Sequence, residues 1–261
     1  MSRVKDKWGL ITGASSGIGE ASAKALAHDG CNLILTARRA EKLKILAQEL
    51  EKNHNIKVHI YPVDVRVKKS VELLFEDVKA TETVPDFLIN NAGLALGLES
   101  VQEGFTDKWD TMIDTNLKGL LYVTRAFLPL MIQKGEGHII NIGSTAGWQT
   151  YPGGNVYNAT KFGVRALSDA MNLDLVDTDI KVSCVAPGNC ETDFSLVRFD
   201  GDKERADKVY AKYKALEAKD VADAILYILN TLPHVNIPYL RIMPKAQRNI
   251  YIFKENRPFW L

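Results

Sequence analysis

Short apolar runs alternate with longer stretches of helical periodicity along most of the chain. Residues 7–12, 32–37, 57–62, 87–90, 138–143 and 182–186 carry few charges and read as buried strands. Between them, residues 17–27, 41–52, 70–80, 106–133 and 156–176 follow a helical pattern. A last helix at 220–229 precedes a final strand near 239–243. Gly30 is positioned to stop the first helix, and Pro129 is expected to bend or end the fourth. Strands separated by helix-length segments imply right-handed βαβ units and a parallel sheet covered on both faces. The expected fold class is therefore α/β, a doubly wound sheet in a three-layer α/β/α arrangement. Residues 193–214 are the most irregular and charged stretch, and they lie inside the pattern rather than between two balanced halves. One domain is the economical reading.

Composition narrows the function. The 261 residues are 46% apolar, ample for a packed core. A net charge of +1 supplies no bulk field for nucleic acid or an anionic membrane. No apolar run approaches the ~18–20 residues of a membrane span, and residues 1–7 lack the apolar region and cleavage site of a signal peptide. Cys31, Cys184 and Cys190 are odd in number and form no CxxC, so neither a disulfide framework nor a metal site is expected. A cytoplasmic globular protein fits these features.

The first strand runs into Thr12-Gly13-Ala14-Ser15-Ser16-Gly17-Ile18-Gly19 and then a helix. This TGxxxGxG pattern is related to the GxGxxG dinucleotide fingerprint. Its glycines permit a tight turn and bring backbone N–H groups to a pyrophosphate at the positive end of the helix. No Gly-Lys-Ser/Thr follows, which excludes a nucleoside-triphosphate loop. A carboxylate at the end of the second strand would select NAD; here the strand ends Ala37-Arg38-Arg39, and two guanidiniums suit the 2′-phosphate of NADP(H). Asp64-Val65 after the third strand and Asn90-Asn91-Ala92-Gly93 after the fourth fall at the carboxyl edge, where the adenosine would lie.

Tyr157-Asn158-Ala159-Thr160-Lys161 opens a helix, with Tyr157 and Lys161 one turn apart on one face. A free phenol, pKa ~10, is a poor base at neutral pH; a neighbouring ammonium is expected to favour the phenolate. Ser144, thirteen residues earlier, arrives at the same edge and would donate to a reacting carbonyl oxygen.

On these motifs, with Asn116, Pro187-Gly188 and Thr192 in matching order and spacing, the chain resembles the short-chain dehydrogenase/reductase family over nearly its whole length. The resemblance implies a Rossmann-type seven-stranded parallel sheet and a homo-oligomer, tetrameric or dimeric. It implies a catalytic tetrad of Asn116, Ser144, Tyr157 and Lys161, in which Asn116 distorts its helix and holds a water that links Lys161 to solvent. Lys161 and Tyr157 would also contact the nicotinamide ribose, and Pro187, Gly188 and Thr192 the nicotinamide end. Residues 191–199, 232–237 and 242–244 are similar to NADP-dependent 3-hydroxy acid (serine or allo-threonine) dehydrogenases. Asn189-Cys190 departs from the aliphatic pair typical there, and the chain continues past Gln247 into a tail that contains Arg248, Tyr251, Phe253, Lys254, Arg257, Phe259 and Trp260. The domain expectation is thus a catalytic domain over 1–247, with a substrate loop near 189–215, and a C-terminal extension over 248–261, which either reaches a neighbouring subunit's active site or buries its aromatic residues at a subunit interface.

Arg198, Asn189, Gln149 and Arg248 are the candidates for substrate contact, because a guanidinium pairs well with a carboxylate or sulfonate. They favour a small anionic substrate: a 3-hydroxy acid, a semialdehyde, a serine-like compound, or a sulfonated aldehyde such as sulfoacetaldehyde. An apolar ketone substrate and a catalytically silent dinucleotide sensor are the competing readings. Other signals carry little. Gly143-Ser144-Thr145-Ala146-Gly147 centres Thr145, not serine, between its glycines, so it is no hydrolase elbow. The five histidines have no ligand-like spacing.

Overall fold

The computed structural model describes residues 2–211, 213–250 and 252–254. Seven parallel strands form one sheet in the order β3-β2-β1-β4-β5-β6-β9, numbered by sequence. They are β1 (Trp8–Thr12), β2 (Asn32–Ala37), β3 (Val58–Pro62), β4 (Phe87–Asn90), β5 (Gly137–Ile142), β6 (Ile180–Pro187) and β9 (Tyr239–Ile242). Two further short strands, β7 (Cys190–Glu191) and β8 (Leu216–Glu217), pair with each other as a separate parallel ladder.

Neighbouring residues of each central strand face opposite layers, as the two-residue period of a strand requires. Ile11, Leu33, Leu35, Ile89 and Ile140 pack under α1 (Gly17–His28), α2 (Ala40–Asn53) and α9 (Ala218–Leu229). Leu10, Ile34, Leu88 and Ile139 pack under α3 (Lys68–Ala80), α5 (Leu120–Lys134) and α6 (Asn155–Asp174). Strands apolar on both faces therefore fill two cores, which explains their near-continuous apolar runs. The chain builds β1, β2 and β3 outward, then returns to place β4 on the other side of β1. That reversal opens a crevice at the carboxyl ends of β1 and β4, the usual ligand position of such sheets.

Three departures from the sequence pattern matter. The helix expected over 106–133 is split: α4 (Thr106–Ile113) passes into a π turn (Asp114–Gly119) before α5 resumes. The turn packs closely, since a Cβ on Gly119 would lie 2.7 Å from Cγ2 of Val65. Pro129 does not end α5, which runs on to Lys134 and stops at Gly135 with φ +88°. The buried side chains of Phe127 and Met131 hold the helix on the sheet through the missing backbone bond. Finally, the irregular stretch 193–214 contains two short helices, α7 (Phe194–Arg198) and α8 (Lys203–Lys208).

Phe127 is fully buried and meets Phe75 edge-on, ring centroids 5.7 Å apart. Phe127→Ala is expected to lower the unfolding free energy by about 3–5 kcal/mol in a denaturant titration.

Candidate active site

The turn between β1 and α1 is shaped by its glycines. Gly13 has φ +67°, and a Cβ there would lie 3.0 Å from Cα of Ala92. A Cβ on Gly19 would lie 2.5 Å from both the Gly13 carbonyl and Nδ2 of Asn91. Asn91 braces this turn: its Nδ2 donates to the carbonyls of Thr12 (2.9 Å) and Gly13 (3.2 Å). The Thr12 hydroxyl in return accepts from the backbone N–H groups of Asn91 and Ala92. Arg39 closes the other side, donating from Nε to Ser15 Oγ at 3.0 Å and from its terminal nitrogen to Ser16 Oγ at 2.6 Å. Gly17 and Ile18, at the N-terminus of α1, line the pocket with Gly13, Ser15 and Ser16, whereas Gly19 is buried against the Gly13 carbonyl and does not line it.

Arg38 lines the same pocket, as do Asp64, Val65 and a third guanidinium, Arg66, which the sequence reading missed. Arg66 grips Asp64 with Nε 3.0 Å from both carboxylate oxygens, and its guanidinium holds the Asp64 carboxyl below its usual range. An Arg two residues past a strand-end Asp was the available signal.

At the other end of the pocket β5 delivers Ser144, and the first two turns of α6 deliver Tyr157 and Lys161. Ser144 caps the 3-10 turn Thr145–Gly147, its Oγ accepting from Ala146 N at 3.1 Å. That contact leaves its O–H to point elsewhere. Lys161 is buried and donates from Nζ to the Ile142 carbonyl at 2.8 Å. Burial lowers its pKa to about 8. Its Nζ lies 5.9 Å from the centre of the Tyr157 ring. Tyr157 is also buried, and burial pushes its phenol above the ordinary value. The groups that oppose this shift are the Ser144 hydroxyl and the Arg198 guanidinium. Desolvation outweighs the charged neighbours of the phenol in this chain.

Asn116 sits in the π turn with its carboxamide fully used. Its Oδ1 accepts from Leu94 N at 2.9 Å, and its Nδ2 donates to the Leu94 carbonyl at 2.8 Å and to Thr160 Oγ1 at 3.0 Å. A Cβ on Gly93 would lie 3.2 Å from Asn116 Oδ1 and 3.6 Å from Lys161 Nζ, so the three groups converge.

Pro187 and Gly188 leave β6 into the pocket, where Gly188 N donates to the Ile242 carbonyl at 2.7 Å. Thr192 approaches the glycine turn; its Cβ would lie 3.4 Å from a Cβ on Gly17. Of the expected substrate residues, the structure brings in two. Arg198, half-buried, stands 5.6 Å from the Tyr157 ring centre and 5.3 Å from that of Tyr151. It donates from Nε to the Gly97 carbonyl at 3.1 Å and from a terminal nitrogen to the Tyr151 hydroxyl at 2.7 Å. Asn189 lines the pocket with its Nδ2 on the Tyr213 hydroxyl.

Gln149 and Arg248 are not among the pocket-lining residues, and both are exposed. Gln149 instead accepts from the backbone of Ile250 at 3.3 Å. The described part of the tail turns back through an antiparallel bridge between Gln247 and Phe253, which directs Ile250 and Phe253 into the pocket of their own chain. Phe253 stacks on Tyr213, ring centroids 4.7 Å apart. Tyr251, Arg257, Phe259 and Trp260 lie outside the described residues. The apolar wall of Tyr151, Phe194, Tyr210, Tyr213, Ile250 and Phe253 escaped the sequence reading. Its only trace was the aromatic density of residues 194–213 and of the tail.

The cavity that joins both ends has a volume of about 660 Å³, within the range of small-molecule and cofactor sites. Among the described residues no His/Cys/Asp/Glu group is arranged to hold a metal ion, and no helix is long and apolar enough to cross a membrane.

A sequence model described as short chain dehydrogenase matches residues 7–203. The chain is 44% identical over 239 residues to an NADP-dependent 3-hydroxy acid dehydrogenase of Salmonella typhi, covering 91% of this chain and 95% of that protein. Identity to sulfoacetaldehyde reductase 2 of Chromohalobacter salexigens is also 44% over 239 residues, covering 91% and 94%. A solved closed form of serine dehydrogenase complexed with NADP+ superposes with a TM-score of 0.87 at 43% identity, covering 92% of this chain and 96% of that one.

The glycine turn yields a direct prediction. Gly19→Ala would force a methyl against the Gly13 carbonyl and Asn91, and is expected to weaken binding of a nicotinamide dinucleotide at least about tenfold in a fluorescence titration, with the circular dichroism spectrum unchanged.

Proposed function

The chain belongs to the short chain dehydrogenase family, and from that premise we propose that it is an NADP(H)-dependent oxidoreductase acting reversibly on a small anionic hydroxy or carbonyl compound. The observation that carries the anionic part is the Arg198 guanidinium, 5.6 Å from the Tyr157 ring inside the pocket. Two of its five N–H donors hold Gly97 and Tyr151, which leaves three for a carboxylate or sulfonate. The relatives named for 3-hydroxy acids, serine and sulfoacetaldehyde support the same chemical class.

The residues present fit the dinucleotide. The Gly13–Gly19 turn is a cradle that side chains would fill, and the helix N-terminus behind it favours a pyrophosphate. In this reading Gly13, Ser15, Ser16, Gly17 and Ile18 would receive the pyrophosphate, with Gly19 packed against the turn, while Asn91, Ala92 and Gly93 would support the adenosine side. Arg38 takes the 2′-phosphate, and Arg39 holds Ser15 and Ser16 in place. Asp64 and Val65 flank the adenine, and Pro187, Gly188 and Thr192 the nicotinamide. The bound cofactor supplies a hydride from nicotinamide C4. Lys161 bonds the nicotinamide ribose. Tyr157, protonated at neutral pH because of its burial, donates a proton to the carbonyl oxygen as charge develops there. Ser144 donates a hydrogen bond to the same oxygen. In the oxidative direction Tyr157 takes the hydroxyl proton instead.

The reading extends to a homo-oligomer, a tetramer or a dimer, working in the cytoplasm. Exposed apolar side chains on α5 and α6, Leu121, Phe162 and Leu173, support association of copies. Three unpaired cysteines, two of them buried, suit a reducing compartment.

Arg198→Met tests the anion contact. The KM for sulfoacetaldehyde with NADPH is expected to rise at least about tenfold, while the rate with a neutral aldehyde of similar size stays within about threefold. Equal losses on both aldehydes would count against the anion role. The pH dependence follows from the buried pair. Reduction is expected to hold level below pH 8 and to decline above about 8, as the Lys161 ammonium loses its proton. Oxidation, which needs the phenolate, is expected to climb with pH through the same range.

A further inference from the structure

The hydroxyl of Thr160 links two members of the proposed tetrad. Thr160 lies between Tyr157 and Lys161 on α6 and is 1% exposed. Its Oγ1 accepts from Asn116 Nδ2 at 3.0 Å and donates to the Tyr157 carbonyl at 2.8 Å. A hydroxyl is suited to this double duty, because one oxygen provides both an acceptor and a donor. The other N–H of the Asn116 carboxamide goes to the Leu94 carbonyl, and Oδ1 accepts from Leu94 N. A continuous chain of hydrogen bonds thus runs from the loop after β4, through the π turn, to the backbone of Tyr157.

We infer that Thr160 is a positioning residue for the reaction, the connection through which the π turn carrying Asn116 and the first turn of α6 carrying Tyr157 keep a fixed separation. The inference rests on the proposed tetrad and adds to it a group that touches neither cofactor nor substrate. The geometry leaves little room for a substitute. Asn116 is 2% exposed, so removing the hydroxyl leaves a buried amide N–H without its partner. Valine has the size and branching of threonine but no acceptor, so the carboxamide would rotate or its turn would shift. Either movement acts where Gly93, Asn116 and Lys161 converge. Serine restores the oxygen without the methyl.

The test compares Thr160→Val, Thr160→Ser and Asn116→Ala, each checked by thermal melting. With NADPH and sulfoacetaldehyde, Thr160→Val is expected to lose at least about tenfold in kcat with KM for NADPH within about threefold, and Thr160→Ser to recover most of the loss. A readout independent of turnover is exchange of the Asn116 side-chain amide protons, followed by NMR in asparagine-labelled protein. Thr160→Val should speed exchange of one of them at least about tenfold. Unchanged kcat and exchange in Thr160→Val, with Asn116→Ala impaired, would overturn the role of Thr160 alone. Equal losses in Thr160→Ser and Thr160→Val would overturn it too, since packing and not the hydroxyl would then be at issue. Full activity in Asn116→Ala would instead overturn the tetrad reading on which the inference rests. If the wild-type chain does not reduce sulfoacetaldehyde, the exchange readout decides by itself.

Discussion

An ammonium and a phenol buried side by side constrain everything else in the site. Lys161 offers its Nζ to the Ile142 carbonyl, and burial drives its pKa to about 8, so the charge is held at a cost that the fold must offset elsewhere. Tyr157 is buried by the same walls, and its proton is held more tightly for that reason. A dry pocket strengthens every charge-assisted contact inside it. The consequence is a division of labour. In the proposed reaction the phenol would be a proton donor as it stands, and positive charge close to it would favour its use as a base. Arg198 is one such charge in this chain, and an anion bound on Arg198 would offset it. Substrate charge and proton position are thereby coupled through one aromatic ring.

The supports of this site come from backbone-centred bonds. Thr12 and Asn91 tie the end of β1 to the end of β4 by four hydrogen bonds. Asn116 is tied to both backbone groups of Leu94. Arg198 is doubly fastened to Gly97, by its side chain and by a bond from Gly97 N to its own carbonyl at 2.9 Å. Lys108 and Asp200 add an ion pair at 2.6 Å between α4 and the turn after α7. The Thr12–Asn91 set ties the glycine turn to two strand ends, and the other contacts tie helices and the π turn to the loops around the pocket.

Much of this was legible in the sequence because it obeys local rules. Leu10 and Ile11, or Ile139 and Ile140, are adjacent apolar residues because both faces of the sheet are covered, and that pattern survives in the chain as a readable run. The glycines at 13, 17 and 19 and the four-residue interval between Tyr157 and Lys161 are likewise set by short-range geometry. The illegible parts depend on distant partners. Gln149 looked like a polar pocket residue, but Ile250, about a hundred residues away in sequence, takes its oxygen. Pro129 obeyed a local rule in the sequence and was overruled by the burial of Phe127 and Met131 on either side. Phe253 is separated from Tyr213 by β8, α9 and β9, so their stacking leaves no periodicity to detect.

The central claim is that the buried phenol of Tyr157 moves the proton. Its most direct test is Tyr157→Phe, assayed for NADPH oxidation with an anionic aldehyde and, separately, for NADPH binding by fluorescence. The account predicts a loss of at least about a thousandfold in kcat with the cofactor dissociation constant changed by less than about threefold. Turnover within about tenfold of wild type would contradict it, because the proton would then have to come from another group.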